Sequence, residues 1–240
     1  MTLDIRSFPS PNFNARDPAV PLQFIVLHYT GMPTTDAALA RLCDKQSEVS
    51  AHYVLDEAGR VFQLVDETCR AWHAGKSFWR GITDINSASI GIELANPGHE
   101  FGYRPYPSVQ IAALKELMHD IVRRHALNTA TSPLAHSDIA PSRKQDPGEL
   151  FPWKELAKDG LGIWPEPTAA DYGTLGADEV QELLKAIGYD ADSDERAALL
   201  AFQRRYYPEN MTGSPHEETV ARLRALKRLS DSTPAMLPLA

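Results

Sequence analysis

The apolar positions of this chain change period part-way along, and the predicted elements change with them. Leu22-Gln23-Phe24-Ile25-Val26-Leu27-His28-Tyr29 is a short, β-branched run closed by Thr30-Gly31, and it reads as a buried strand. His52 to Leu55 and Val61 to Val65 flank Asp56-Glu57-Ala58-Gly59-Arg60, a hairpin signal. In Ser89-Ile90-Gly91-Ile92-Glu93-Leu94-Ala95-Asn96, alternation puts Ile90, Ile92 and Leu94 on one face and Gly91, Glu93 and Ala95 on the other. Helical spacing takes over after the Thr34-Thr35-Asp36 cap, with Ala38, Leu39, Leu42 and Cys43 inward. It returns from Ser108 to Leu127, where Ile111, Leu114, Leu117, Met118, Ile121 and Val122 form one stripe, with Ser108 as N-cap and Asn128 as the end. A brief strand at 132–135 and a short helix at 153–157 follow.

Two stretches break these patterns. Ser10-Pro11-Asn12-Phe13-Asn14 is turn chemistry, so residues 1–20 are expected to be an irregular arm. Gly160, Gly162, Pro165, Pro167, Gly173 and Gly176 mark 159–176 as a linker. Beyond it only helices are predicted, at 178–187, 194–206 and 215–229, with apolar stripes through Leu184, Leu199, Phe202, Val220 and Leu223. The expected division is an arm (1–20), a main domain (21–158), the linker, a small three-helix domain (177–230) and a frayed tail (231–240). Phe202 is expected in the core of that bundle.

Composition narrows the function classes. The chain is 43% hydrophobic with a net charge of −8, which favours neither a nucleic-acid partner nor an anionic membrane surface. Cys43 and Cys69 rule out a disulfide scaffold and leave open whether the two pair. No apolar run is long enough for a signal or a membrane span, so a soluble, cytoplasmic monomer is expected.

The chemistry concentrates in the loop His136 to Gly148. Lys144 lies eight residues beyond His136 and Asp146 two beyond that, with Pro141 and Pro147 interrupting any regular helix. His28, at a strand's carboxyl end, reads either as a packed strand histidine or as a ligand. Two His and one carboxylate leave a coordination position free, which is a catalytic rather than a structural zinc arrangement. Glu93, flanked on its face by two small residues, is either an exposed strand glutamate or a base that moves the proton of an attacking water. Lys144 could stabilise an oxyanion. The loop from Trp72 through Trp79 and Arg80 is either locally packed or the wall of a groove.

Five runs together carry a resemblance: Leu27-His28-Tyr29-Thr30, Ser50-Ala51-His52-Tyr53-Val54, Ala71-Trp72-His73-Ala74-Gly75, Ile90-Gly91-Ile92-Glu93, and His136 followed by Lys144-Gln145-Asp146-Pro147-Gly148. In this order they resemble the zinc-dependent N-acetylmuramoyl-L-alanine amidase type 2 family, related to the peptidoglycan recognition proteins. The resemblance covers about residues 10–157. It implies an α/β fold with a central mixed β-sheet flanked by helices and one zinc in a surface groove. It also implies cleavage of the amide between the lactyl group of N-acetylmuramic acid and L-alanine in peptidoglycan or muropeptides. It makes His28, His136 and Asp146 the zinc ligands, Glu93 the catalytic acid/base and Lys144 the oxyanion helper. Tyr29, His52, Trp72, His73, Trp79 and Arg80 become expected substrate contacts. Residues 197–206 resemble, more weakly, a peptidoglycan-binding three-helix module. A non-catalytic peptidoglycan sensor, or an envelope enzyme acting on polymer, are the alternatives to a recycling amidase. The sensor is disfavoured, because all three ligand positions carry residues able to bind metal.

Overall fold

In the computed structural model, which describes residues 4–232, the strands are β1 (Ile5–Ser7), β2 (Phe13–Ala15), β3 (Phe24–Tyr29), β4 (Tyr53–Leu55), β5 (Val61–Gln63), β6 (Cys69–Ala71), β7 (Ser89–Leu94) and β8 (Pro133–Ala135). Six of them form one mixed sheet in the order β1-β5-β4-β7-β3-β8, and β2 pairs with β6 apart from it. The predicted hairpin is the antiparallel β4–β5 pair. β3 runs parallel to β7, in a register that sets His28 opposite Glu93. Paired residues of neighbouring strands share a face, so this register alone brings one expected ligand beside the expected base.

The helices are α1 (Thr35–Cys43), α2 (Ile85–Ala88), α3 (Gly98–Phe101), α4 (Ser108–His125), α5 (His136–Ile139), α6 (Trp153–Lys158), α7 (Glu179–Ile187), α8 (Glu195–Tyr206) and α9 (Glu217–Asp231). Thr34 caps α1 as expected, its hydroxyl accepting from the Ala37 N–H at 3.2 Å. The ends of α4 differ from expectation. Ser108 is its first helical residue, preceded by Pro107, and makes no side-chain cap. Its end comes at Ala126, where a left-handed backbone (φ 50°) closes the last turn onto the Val122 carbonyl before Asn128 is reached.

One sheet face buries Ile25, Leu27, Ile90, Ile92 and Leu94 against Leu114, Leu117, Met118 and Ile121 of α4. On the other face, Phe24, Val26 and Leu134 meet Val180, Leu184, Leu199, Phe202, Val220 and Leu223. The three C-terminal helices therefore share a hydrophobic cluster with the sheet, and Phe202 is fully buried within it. Within 159–176, Leu161 is buried in the α4 core. Most of the predicted tail lies outside the described residues. Cys43 and Cys69 are both free thiols.

The N-terminal arm corrects the sequence expectation. Its turn residues do reverse the chain, but Ser10 Oγ donates to the Leu42 carbonyl and Asn12 Nδ2 to the carbonyls of Asp44 and Val49. These bonds fix the turn on α1 and lay its flanks along neighbours as strands, β1 on β5 and β2 on β6.

Below the arm, buried Glu67 accepts from Tyr53 Oη, Arg124 and His125. Burial opposes its ionisation, yet these donors prevail and draw its pKa from 4.5 down to about 2. A carboxyl whose folded pKa is depressed stabilises the fold above its unfolded value and loses that contribution as pH falls. The parent should therefore lose stability between pH 4.5 and about 2. Glu67→Gln should be less stable at neutral pH and flatter across that window in denaturant titrations. An equally steep acid loss in the variant would assign the sensitivity to other groups.

Candidate metal centre

The carboxyl ends of β3 and β7 form the floor of a groove of about 250 Å³, lined by His28, Glu93, His136, Lys144 and Asp146, with Tyr29, Trp72 and His73 among the walls. β8 delivers His136 as the first residue of α5, so the loop starts with a single helical turn. The loop then returns on itself: the Ser137 N–H donates to the Asp146 carbonyl at 3.0 Å. Tyr103 and Tyr106 both donate their hydroxyls to the Pro147 carbonyl, at 2.8 and 2.7 Å. Gly148 has φ +88°, and a Cβ there would stand 2.3 Å from Tyr103 Oη. Glycine is thus required both by conformation and by space at the point where the loop is pinned.

Three ligand-competent atoms converge. His28 Nδ1 lies 2.9 Å from His136 Nδ1 and 3.0 Å from Asp146 Oδ2, and His136 Nδ1 lies 2.9 Å from the same oxygen. All three residues are buried. The hydrogen bonds behind them assign the tautomers. His136 Nε2 faces the Ala74 carbonyl at 3.2 Å, and a carbonyl can only accept, so in the neutral ring the proton sits on Nε2 and Nδ1 is a bare lone pair. The same assignment for His28 Nδ1 follows from its contact with His73 (Nε2 to Nδ1, 3.0 Å) and from what lies behind His73. With both rings neutral, two imidazole lone pairs and a carboxylate oxygen thus face one another with no proton between them.

That arrangement calls for a cation. Burial opposes ionisation of Asp146, and positive charge on the facing His136 and His28 would reverse this. Burial, however, pushes His28 down to about 4, with His136 acting in the same direction, so His28 stays neutral at neutral pH. A metal ion supplies the missing charge, and N₂O donors with one free position match a catalytic zinc site.

Glu93 is partly exposed on the groove floor, and its Oε2 is shielded and has no hydrogen-bond partner among the described residues. Burial raises its pKa well above 4.5, Asp146 adds to the rise, and Lys144 opposes it. A positive ion at the triad would bring it back towards the range useful for proton transfer. Lys144 lines the groove and forms no ion pair among the described residues.

Not every expected substrate contact reaches the groove. His52 is fully buried, its Nδ1 accepting from the Gly91 N–H at 2.9 Å and its ring lying beyond His73. Trp79 packs edge-on against Tyr189, and Arg80 donates to the Ile187 carbonyl at 2.9 Å and to Ser230 Oγ at 3.1 Å. Their loop docks on the C-terminal helices because that face offers apolar cover and free carbonyls. Sequence reasoning also missed Asp138, Asn86, Ser89 and Arg205. Asp138 is fully buried; its carboxylate accepts from the Ala135 N–H (2.8 Å), from Tyr189 Oη (2.7 Å) and from Arg205 Nη1. Its place two residues after His136 was a usable signal; the identity of its partners was not.

Comparison with known proteins places this geometry. A family model described as N-acetylmuramoyl-L-alanine amidase matches residues 18–149. The N-acetylmuramoyl-L-alanine amidase AmiD of Escherichia coli is 38% identical over 230 residues, covering 85% of this chain and 82% of that protein. Its structure in complex with anhydro-N-acetylmuramic acid-L-Ala-D-gamma-Glu-L-Lys superposes with a TM-score of 0.78 at 37% identity, over 90% of this chain and 92% of that one. The structure of AmpDh3 from Pseudomonas aeruginosa with an anhydromuramic pentapeptide gives 0.78 at 34% identity, over 87% and 92% of the two chains. The 1,6-anhydro-N-acetylmuramyl-L-alanine amidase AmpD of Haemophilus influenzae is 32% identical over 63% of this chain and 89% of its own length.

Proposed function

The chain belongs to the N-acetylmuramoyl-L-alanine amidase family, and from that premise we propose that it is a zinc-dependent hydrolase of muropeptides, cutting the amide between the muramyl lactyl group and L-alanine. The observation that carries this is the convergence of two bare imidazole nitrogens and one carboxylate oxygen beside an unpartnered Glu93 carboxyl. The substrate named for AmiD and the molecule bound to AmpDh3 are both anhydromuramyl peptides, which supports soluble wall fragments, and a recycling role, for this chain.

His28, His136 and Asp146 would hold the metal, which when bound lowers the pKa of a water to about 7 and polarises a carbonyl. Glu93 takes a proton from the attacking water and returns it to the alanine nitrogen as the C–N bond breaks. Lys144 donates to the oxygen of the attacked carbonyl as charge develops there. Tyr29 and Trp72, on the groove walls, are the remaining substrate-side residues. Among the described residues no helix is long and apolar enough to cross a membrane.

The test is direct. Protein carrying one equivalent of zinc should release a peptide with a free L-alanine amino terminus from an anhydromuramyl tripeptide. Chelation should abolish release and zinc should restore it. Zinc-loaded protein that binds the fragment and leaves it uncut would favour a sensor instead. Fractionation of cells expressing the full-length protein locates the activity; recycling expects it in the cytoplasm.

A further inference from the structure

His73 lies against His28 on a path that ends away from the groove. Ser89 Oγ donates its single proton to the Ile85 carbonyl at 2.5 Å. It can therefore only accept from His73 Nε2, 3.3 Å away. His73 Nδ1 is then bare and accepts the His28 Nε2 proton at 3.0 Å. Each group in this row has one assignment compatible with the next.

The surroundings are built to hold that row. The N–H groups of His73 and Ala74 both donate to Asn86 Oδ1, at 3.0 and 2.8 Å. A Cβ at Gly91 would stand 2.4 Å from His73 Cγ, so only glycine in the middle of β7 admits the ring. A strand-interior glycine weakens a sheet, and the ring of His73 is the physical reason for one here. The next residue, Ala74, offers its carbonyl to His136 Nε2. One dipeptide clamped by Asn86 therefore orients both imidazoles of the triad.

We propose that His73 is a positioning residue, not a substrate contact: with Ser89 behind it, it fixes the tautomer and ring plane of His28 for metal binding. This presupposes that the triad binds a metal. Outer acceptors of this kind change metal affinity by roughly 10–100-fold when removed.

The test uses the full chain, stripped of metal and titrated with zinc against a chromophoric chelator. His73→Phe keeps a ring over Gly91 and removes the acceptor, while Ser89→Ala removes only the hydroxyl behind it. Zinc affinity should fall about 10–100-fold in the first and by a smaller factor in the second, with unchanged circular dichroism. In the metal-free parent, long-range ¹H–¹⁵N spectra should place the His28 proton on Nε2, and His73→Phe should mix the tautomers. Equal zinc affinity in parent and variants, or a His28 proton on Nδ1 in the parent, overturns the proposal. If His73→Phe does not fold, Ser89→Ala and the parent's spectrum decide it. A parent that takes up no zinc sinks the metal reading instead, and its His28 tautomer still decides whether His73 orients that ring.

Discussion

Glu93→Gln should turn over an anhydromuramyl peptide at least ~10²-fold more slowly than the parent, the usual size of a general acid–base contribution. Its zinc stoichiometry and thermal midpoint should not fall. Glutamine keeps the shape and the polar atoms of a side chain whose Oε2 has no partner to lose. Burial already disfavours the charge that the substitution deletes, so removing it does not cost stability. What is lost is the ability to take a proton and give it back. Lys144→Met complements the test: it should lower kcat by a factor nearer that of an oxyanion donor, about 10²–10³, while keeping the Glu93 limb of the pH profile and moving it to higher pH, because Lys144 no longer lowers that carboxyl's pKa. Turnover of Glu93→Gln within tenfold of the parent would move the proton transfer to another group.

Arg205→Met should destabilise the chain by about 3–5 kcal/mol, the cost of leaving a buried charge without its partner. Arg205 and Asp138 are both almost inaccessible. The guanidinium also donates to the Pro133 carbonyl at 3.0 Å and stacks 3.9 Å over Trp153. Methionine fills much of that space, so the loss reports the guanidinium's polar contacts rather than a cavity. Denaturant titration measures it, and Asp138→Asn in the same background should recover part of it, because no unpaired charge then remains. Asp138 sits two residues from His136 and caps the turn that carries it, so zinc affinity should fall together with stability. A variant as stable as the parent would mean that water reaches Asp138.

These two predictions differ in how far the sequence foretold them. Alternation in β7 placed Glu93 opposite the packed face, and an apolar run ending in His28 placed the proposed ligand at a strand end. Both are local patterns, and parallel pairing then set the two residues side by side. The Arg205–Asp138 pair joins helix α8 to the metal loop across 67 positions, and no period or motif encodes such a contact. The same distance effect explains the aromatic loop. Trp79 and Arg80 look like groove residues until α7 and α9 arrive to cover them. His73 lines the groove as its motif suggested, but its ring nitrogens are turned inward, which only the neighbouring Ser89 and Gly91 reveal.

β3 is hydrogen-bonded along both edges, to β7 and to β8, with Phe24 and Val26 anchored under the C-terminal helices on the face that ends in His28. Such a strand opens only when the whole sheet opens. Its amides should therefore be among the last to exchange with deuterium, and the reacting centre should breathe no faster than global unfolding permits. Any rearrangement on substrate binding is then expected in the groove walls and not in this floor.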